Sequence, residues 1–260
     1  MQRRILIIDD HDDLASALEE VFTAAGHSVA TIGSRADALD IDNFEQFDLV
    51  ITDLDIQSPR LHTVNGSGTV PNGEEHIKAF KVSAANLARH EFEESELKDI
   101  LATVLDYKTR HVDKFATVQE LHEHIEFELP SALSLMHIIL DYLLKRVEKL
   151  GVVKSEQSNL FVALDEAFVN AVKHGNKLDA TKLVRIIAEV SRAEARFTIE
   201  DEGEGFDVNS IPDPLIPENL FKTSGRGVLF IYNIMDEVKY NERGNRLTMI
   251  KKRTDPEPAS

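Results

Sequence analysis

An apolar run that ends in acid constrains this chain more than any other feature, because it occurs twice at strand length. Arg4-Ile-Leu-Ile-Ile-Asp-Asp10 places aliphatic residues ahead of two carboxylates, and Asp48-Leu-Val-Ile-Thr-Asp53 repeats the pattern. A short continuous apolar run of this kind suits a strand buried on both faces. The first run is followed by a helical stretch from Leu14 to Ala25 and then by Gly26, a helix stop. Strand, helix and strand in this order predict an α/β fold with a doubly wound parallel sheet whose strand C-terminal ends present a site. Asp53 is then expected beside Asp9 and Asp10 at one sheet edge. Clustered carboxylates repel one another, and a hard cation such as Mg2+ relieves that repulsion. Asp53 would then be a nucleophile able to carry an acyl phosphate. The alternative for such acids is a cap or a turn.

The second half carries a different set. In Leu164-Asp-Glu-Ala-Phe-Val-Asn-Ala-Val-Lys-His-Gly-Asn176, helical spacing puts Glu166 and Asn170 on one face. Asn170 offers an oxygen ligand to Mg2+, and Glu166 is placed to take a proton from a hydroxyl or water aimed at a terminal phosphate. Leu160, Phe161, Leu164, Phe168 and Val172 are expected to form the buried stripe behind them. The alternating stretch Ala195 to Glu200 predicts a strand, so that Asp201 of Asp201-Glu-Gly-Glu-Gly-Phe-Asp207 stands at a strand end. There a carboxylate can accept a hydrogen bond from an adenine amino group, and Gly203 and Gly205 allow a flat ligand to approach the backbone. Gly225-Arg226-Gly227 opens a helix through Leu229, Phe230, Ile231 and Met235, whose free N–H groups suit an anion. Lys173, Lys222 and Arg226 are candidates to meet phosphate charge. Taken singly, the alternatives are an ordinary amphipathic helix, a glycine-rich turn and solvated cations.

Together these segments resemble the N, G1 and G2 boxes of the GHKL (Bergerat-fold) ATPases, and are most similar to the anti-sigma-factor serine/threonine kinases. The likeness runs from about Phe127 to Lys252, through a helix from Leu133 to Leu150 and a strand around Leu247 to Ile250. It implies an α/β-sandwich ATPase domain that binds ATP and Mg2+. Asn170 becomes the Mg2+ ligand, Glu166 the catalytic base, and Asp201, Gly203 and Gly205 the adenine side. Gly225, Arg226, Gly227 and Lys173 would lie toward the phosphates. The segment from Val208 to Ser224, with Pro212, Pro214 and Pro217, is expected to be a lid.

The first half resembles a response-regulator receiver domain of flavodoxin-like fold, from about Gln2 to Ile125. Asp53 is then the phosphoacceptor, with Asp9 and Asp10 as its Mg2+ partners. Ile77 to Ala84 corresponds to the fourth strand, placing Ser83 at the switch hydroxyl. His111 to Phe115 corresponds to the fifth, placing Lys114 at the phosphate-binding lysine, and Leu121 and Ile125 fall on the last helix. An alternative alignment puts His90 at the lysine position. The sequence departs from the pattern at Gln57 and Phe115, where prolines are usual. In place of a third helix, Ser58 to Glu75 is rich in Gly, Asn, Pro and Thr and reads as a flexible loop. An acidic helix spans Glu91 to Asp106. The expected domains are 1–126 and 127–253, directly joined, with a flexible tail over 254–260.

With 29 Lys and Arg against 46 Asp and Glu, the net charge of −17 argues against nucleic-acid or anionic-membrane partners. The absence of cysteine excludes disulfides. No signal peptide or run of about 20 apolar residues is visible, so a cytoplasmic protein is expected. His111, His122, His124 and His137 read as solvated or structural. The resemblances imply a receiver-controlled protein serine/threonine kinase. Its partners would be an anti-anti-sigma (STAS) protein or a sigma factor, with an upstream histidine kinase as phosphodonor; a homodimer is also expected. The alternatives are a nucleotide-loaded switch that sequesters its partner without phosphotransfer, and a histidine-kinase-like enzyme acting in trans.

Overall fold

The computed structural model describes residues 2–39, 41, 43–64, 68–90, 92–113, 122–153, 159–208 and 226–253. It begins as the apolar runs dictate. β1 (Arg4–Asp9) leads into α1 (Asp13–Ala24), β2 (Ser28–Ile32), the short helix α2 (Arg35–Leu39) and β3 (Leu49–Val64). β1 lies between β2 and β3, parallel to both, and Asp9 pairs with Asp53 across the ladder. Ile5, Ile7, Leu49 and Ile51 are buried with α1, whereas Leu6, Ile8 and Leu54 are buried with Ala38 and Phe47 on the other face. Burial on both faces explains why these runs do not alternate.

Beyond β3 the sheet leaves the doubly wound plan. Ile77 to Ser83 is a strand as expected, but it belongs to β4 (Gly68–Ser83), which runs antiparallel to β3 as a hairpin. Of the segment 58–75, expected as a flexible loop, residues 58–64 and 68–75 form the outer part of that hairpin, with a register shift between Pro59 and Leu61. The ladder from β1 to β3 ends at Asp53 and that from β4 to the next strand begins at Ile77. Proline and glycine are tolerated in between because the hairpin there has edges.

α3 (Glu94–Tyr107) follows, and runs into a wider π turn at Lys108–Val112 where a fifth parallel strand was expected. Lys114 and Phe115 lie outside the described residues. The place beside β4 is taken instead by β5 (His122–Pro130), which pairs parallel with β4. Leu121 lies outside the described residues, but Ile125 is on this strand and not on the expected helix. Along β5, Glu123, Ile125, Phe127 and Leu129 are buried and the residues between them half-buried. This period of two is the signature of a strand. The expected domain boundary at 126/127 falls within it.

The chain continues through α4 (Met136–Lys149), α5 (Leu160–Val169), a π turn (Asn170–Gly175), β6 (Leu183–Val190), β7 (Glu194–Asp201), α6 (Arg226–Ile234), β8 (Glu237–Tyr240) and β9 (Arg246–Lys252). Among the described residues one nine-stranded sheet results, in the order β2-β1-β3-β4-β5-β6-β7-β9-β8. α1, α3, α4 and α5 share a single apolar core on one face, in which Ile139, Leu143 and Val147 of α4 meet Leu160, Leu164 and Phe168 of α5. Phe161 is not in the buried stripe; it is on the exposed side and stacks on His137 with ring centroids 6.0 Å apart. None of the described helices is long and apolar enough to cross a membrane.

The opposite face of the central strands is polar. Glu126 of β5, its side chain 13% exposed, meets Lys81 at 3.0 Å and Arg185 at 2.8 Å. His124 first, then Lys81 and Arg185, hold its carboxyl down from 4.5 to about 2 against the opposing effect of burial. A depressed folded-state value means stability that is present above the unfolded value and lost as pH falls toward the folded one. The contribution is at most about 3 kcal/mol. Glu126→Gln is therefore expected to lower stability at neutral pH and to flatten the loss below about pH 4.5. Urea midpoints at neutral and acidic pH check this.

Candidate functional site

α5 ends where the site begins. The helix widens into its π turn at Asn170, a distortion common at functional sites. The turn brings Asn170 to the wall of a cavity of about 280 Å3 that is also lined by Asp201, Gly205, Phe206, Val228 and Leu247. Residues far apart in sequence, from all three segments, thus surround one space. The Asn170 side-chain nitrogen is buried without a hydrogen-bond partner. A buried amide left open on a cavity wall suits a polar ligand, and either end of the amide can be turned toward it.

Asp201 ends β7 and is 9% exposed. Its carboxylate accepts the Gly203 N–H at 2.8 Å, and burial raises its pKa above the ordinary value. A side chain at Gly175 would collide with that carboxylate, and one at Gly203 with the Gly175 carbonyl. At Gly205 the φ of 79° adds a conformational demand, and a side chain there would strike the Arg243 carbonyl. These glycines let two loops close on the Asp201 carboxylate.

The turn between β8 and β9 completes this wall, and its role was not read from the sequence. Asn245, 7% exposed, donates from its side chain to the Asp201 carbonyl at 2.7 Å, while its own carbonyl accepts the Asp201 N–H at 3.0 Å. Arg243 donates to the Gly203 carbonyl at 2.8 Å. Asn245→Ala removes one buried bond that positions Asp201, so ATP binding is expected to weaken by roughly tenfold in titration calorimetry.

Glu166, one turn before Asn170, is half-buried, and a side chain at Gly227 would collide with its carboxylate. The first turn of α6 and the base candidate are therefore in contact. Burial, then Tyr232 and Glu166, raise the pKa of Tyr240, which lines the cavity. Lys173 is exposed and is not among the cavity-lining residues, which include Lys177 instead. Lys177 has a φ of 60° and meets Glu204 at 3.6 Å. Gly225, Lys222 and all of the expected lid from Val208 to Ser224 except Val208 lie outside the described residues, as does the side chain of Arg226. The open amide, the glycine-lined approach and the paired acid fit a nucleotide, with Asn170 as the residue that would hold its Mg2+.

The acids of the first half meet different partners. Asp9, 2% exposed, accepts the N–H groups of Leu14 at 2.7 Å and Ala15 at 2.9 Å, and so caps α1. Asp10 accepts the Asp55 N–H at 2.9 Å. Asp53 is bound through both oxygens by Lys108, at 2.8 and 2.7 Å. Burial pushes the Asp53 carboxyl up to about 6 against the pull of Lys108. Burial acts to lower Lys108, but Asp53 and Asp113 beside it hold its pKa above the ordinary value. Asp9, Asp10 and Asp53 share the sheet edge, yet no group of three such ligands is gathered for a metal ion among the described residues.

Ser83 does not serve as a switch hydroxyl in this arrangement. The antiparallel hairpin pairs it with Val50, while Asp53 pairs with Phe80, and Ser83 donates to Glu128 at 3.0 Å. Strand alternation puts it on the face opposite Asp53. Among the described residues the cation at Asp53 is Lys108, from a helix end that no local sequence signal connects to β3.

Residues 129–251 match the family model for the histidine kinase-like ATPase domain, and residues 5–67 that for the response regulator receiver domain. Serine-protein kinase RsbW of Staphylococcus epidermidis is 28% identical over 142 residues, which cover 52% of this chain and 89% of that protein. Serine-protein kinase RsbW of Staphylococcus aureus (strain MRSA252) is 27% identical over 142 residues, with the same coverage. The chain therefore joins a response regulator receiver domain, matched over residues 5–67, to a histidine kinase-like ATPase domain, matched over residues 129–251, and over that second region it is similar to serine-protein kinases.

Proposed function

We propose that the chain is an ATP-dependent protein serine/threonine kinase whose receiver half controls it through Asp53, and that its substrate is an anti-anti-sigma protein of the STAS type. The observation that carries this reading is the single cavity lined by Asn170, Asp201, Gly205 and Val228, with Glu166 against Gly227 beside it. Asp201 reads the adenine amino group. Asn170 holds the Mg2+ that screens phosphate charge. Glu166 takes the proton of a serine or threonine hydroxyl as its oxygen bonds to the γ-phosphorus; the bond to the bridging oxygen breaks and ADP leaves.

In the same reading the sigma factor is a second partner, an upstream histidine kinase phosphorylates Asp53, and the chain acts in the cytoplasm as a homodimer. The receiver half is taken as 1–126 and the ATPase half as 127–253. Incubation with labelled ATP and a STAS-type protein tests the proposal. Acid-stable phosphoserine or phosphothreonine, lost in Asn170→Ala, is the expected result. Nucleotide binding without any product would favour partner sequestration, and an acid-labile product would point to histidine.

A further inference from the structure

The contacts of Asp53 do not end at Lys108. Lys108 also meets Asp113 at 3.3 Å, and Asp113 meets Arg146 of α4 at 3.2 Å and the Tyr142 hydroxyl at 3.2 Å. Arg146 grips Glu123 of β5 through two nitrogens, one of them at 2.8 Å. The side chains of Asp53, Lys108, Asp113, Arg146 and Glu123 are only 11, 3, 6, 5 and 5% exposed. Signs alternate along the chain, and the path crosses from β3 to α4 in the ATPase half and to β5, the strand that spans the boundary between the halves. Lys108 also lies 5.3 Å from the centre of the Phe80 ring. Buried from solvent, such charges are screened weakly, so a change at one end alters the balance at the next.

α4 gives this chain a route to the cavity. Arg146 and Tyr142 belong to α4, whose neighbouring residues pack on α5, and α5 carries Glu166 and leads directly into Asn170. Because one sheet passes through both halves, hinge motion about a linker is not available to connect them.

We propose that Asp53, Lys108, Asp113, Arg146 and Glu123 form a charge relay that makes nucleotide binding at the cavity depend on the charge at position 53. It rests on the reading of that cavity as a nucleotide site. More negative charge at position 53 draws Lys108 from Asp113. Arg146 is then shared differently between Asp113 and Glu123, and α4 shifts against α5. Less negative charge does the reverse.

The experiment compares the whole chain with Asp53→Asn, Arg146→Lys and the double variant, using a fluorescent ATP analogue with Mg2+. Arg146→Lys keeps the charge and removes the two-pronged grip. Asp53→Asn is expected to change the dissociation constant by about fivefold or more, and to have little effect when Arg146→Lys is already present. A dissociation constant unmoved by Asp53→Asn, or moved equally in both backgrounds, overturns the relay. Amide hydrogen exchange in α4 and α5 supplies a readout that needs no nucleotide. If the unaltered chain binds none, the cavity reading fails. The relay is then supported by exchange rates that Asp53→Asn changes only while Arg146 is intact, and overturned by rates that stay the same.

Discussion

Glu166→Gln is expected to lower the turnover of phosphotransfer by about 10²- to 10⁴-fold while leaving ATP affinity nearly unchanged. Glutamine preserves the size of the side chain beside Gly227 but cannot accept the hydroxyl proton. The cavity wall formed by Asn170 and Asp201 is untouched, so ground-state binding is retained. Single-turnover transfer and a separate binding titration divide these quantities. Transfer undiminished in the variant would remove Glu166 as the base. The close approach to Gly227 makes a second variant informative: Gly227→Ala drives a methyl group into the carboxylate and should reduce turnover with Glu166 itself unchanged.

Glu123→Ala is expected to destabilise the fold by about 3–5 kcal/mol. Arg146, 5% exposed, loses its two-pronged partner and remains buried as a cation with Asp113 alone. The cost lies mainly in the stranded charge. A double change of Glu123→Leu and Arg146→Met, which removes both charges and keeps apolar volume, should therefore recover much of the loss. Chemical denaturation of the three variants checks this. A Glu123→Ala midpoint close to that of the unaltered chain would mean that water reaches the site and that the network is not dry.

The legible parts of this molecule are those written within a single element. The run Ile5 to Ile8 suits a strand buried on both faces, and helical spacing puts Glu166 and Asn170 on one face. Asp201 followed by Gly203 and Gly205 identified the loop that closes the cavity, because few residues can satisfy so tight an approach. The receiver resemblance put Leu121 and Ile125 on its last helix, while the alternation of Glu123, Ile125, Phe127 and Leu129 carries the period of a strand. Lys173 and Lys177 occupy one short stretch, and only the turn after the π segment decides which of them lines the cavity.

By itself the sequence determined the strand that carries Asp53 and brought forward Asn170, Asp201 and Gly205, which line one cavity. These follow from local periodicity and from residue chemistry at fixed spacing, whereas the two kinds of domain were read from the resemblance of their motifs to known families. Tertiary structure alone decided that β4 folds back on β3, that β5 joins the halves into one sheet, and that Ser83 faces away from Asp53. It also chose Lys108 as the cation at Asp53 and linked it through Asp113 and Arg146 to Glu123. The physical reason is that pairing a buried charge depends on which distant element burial brings beside it. Spacing along the chain does not record that choice.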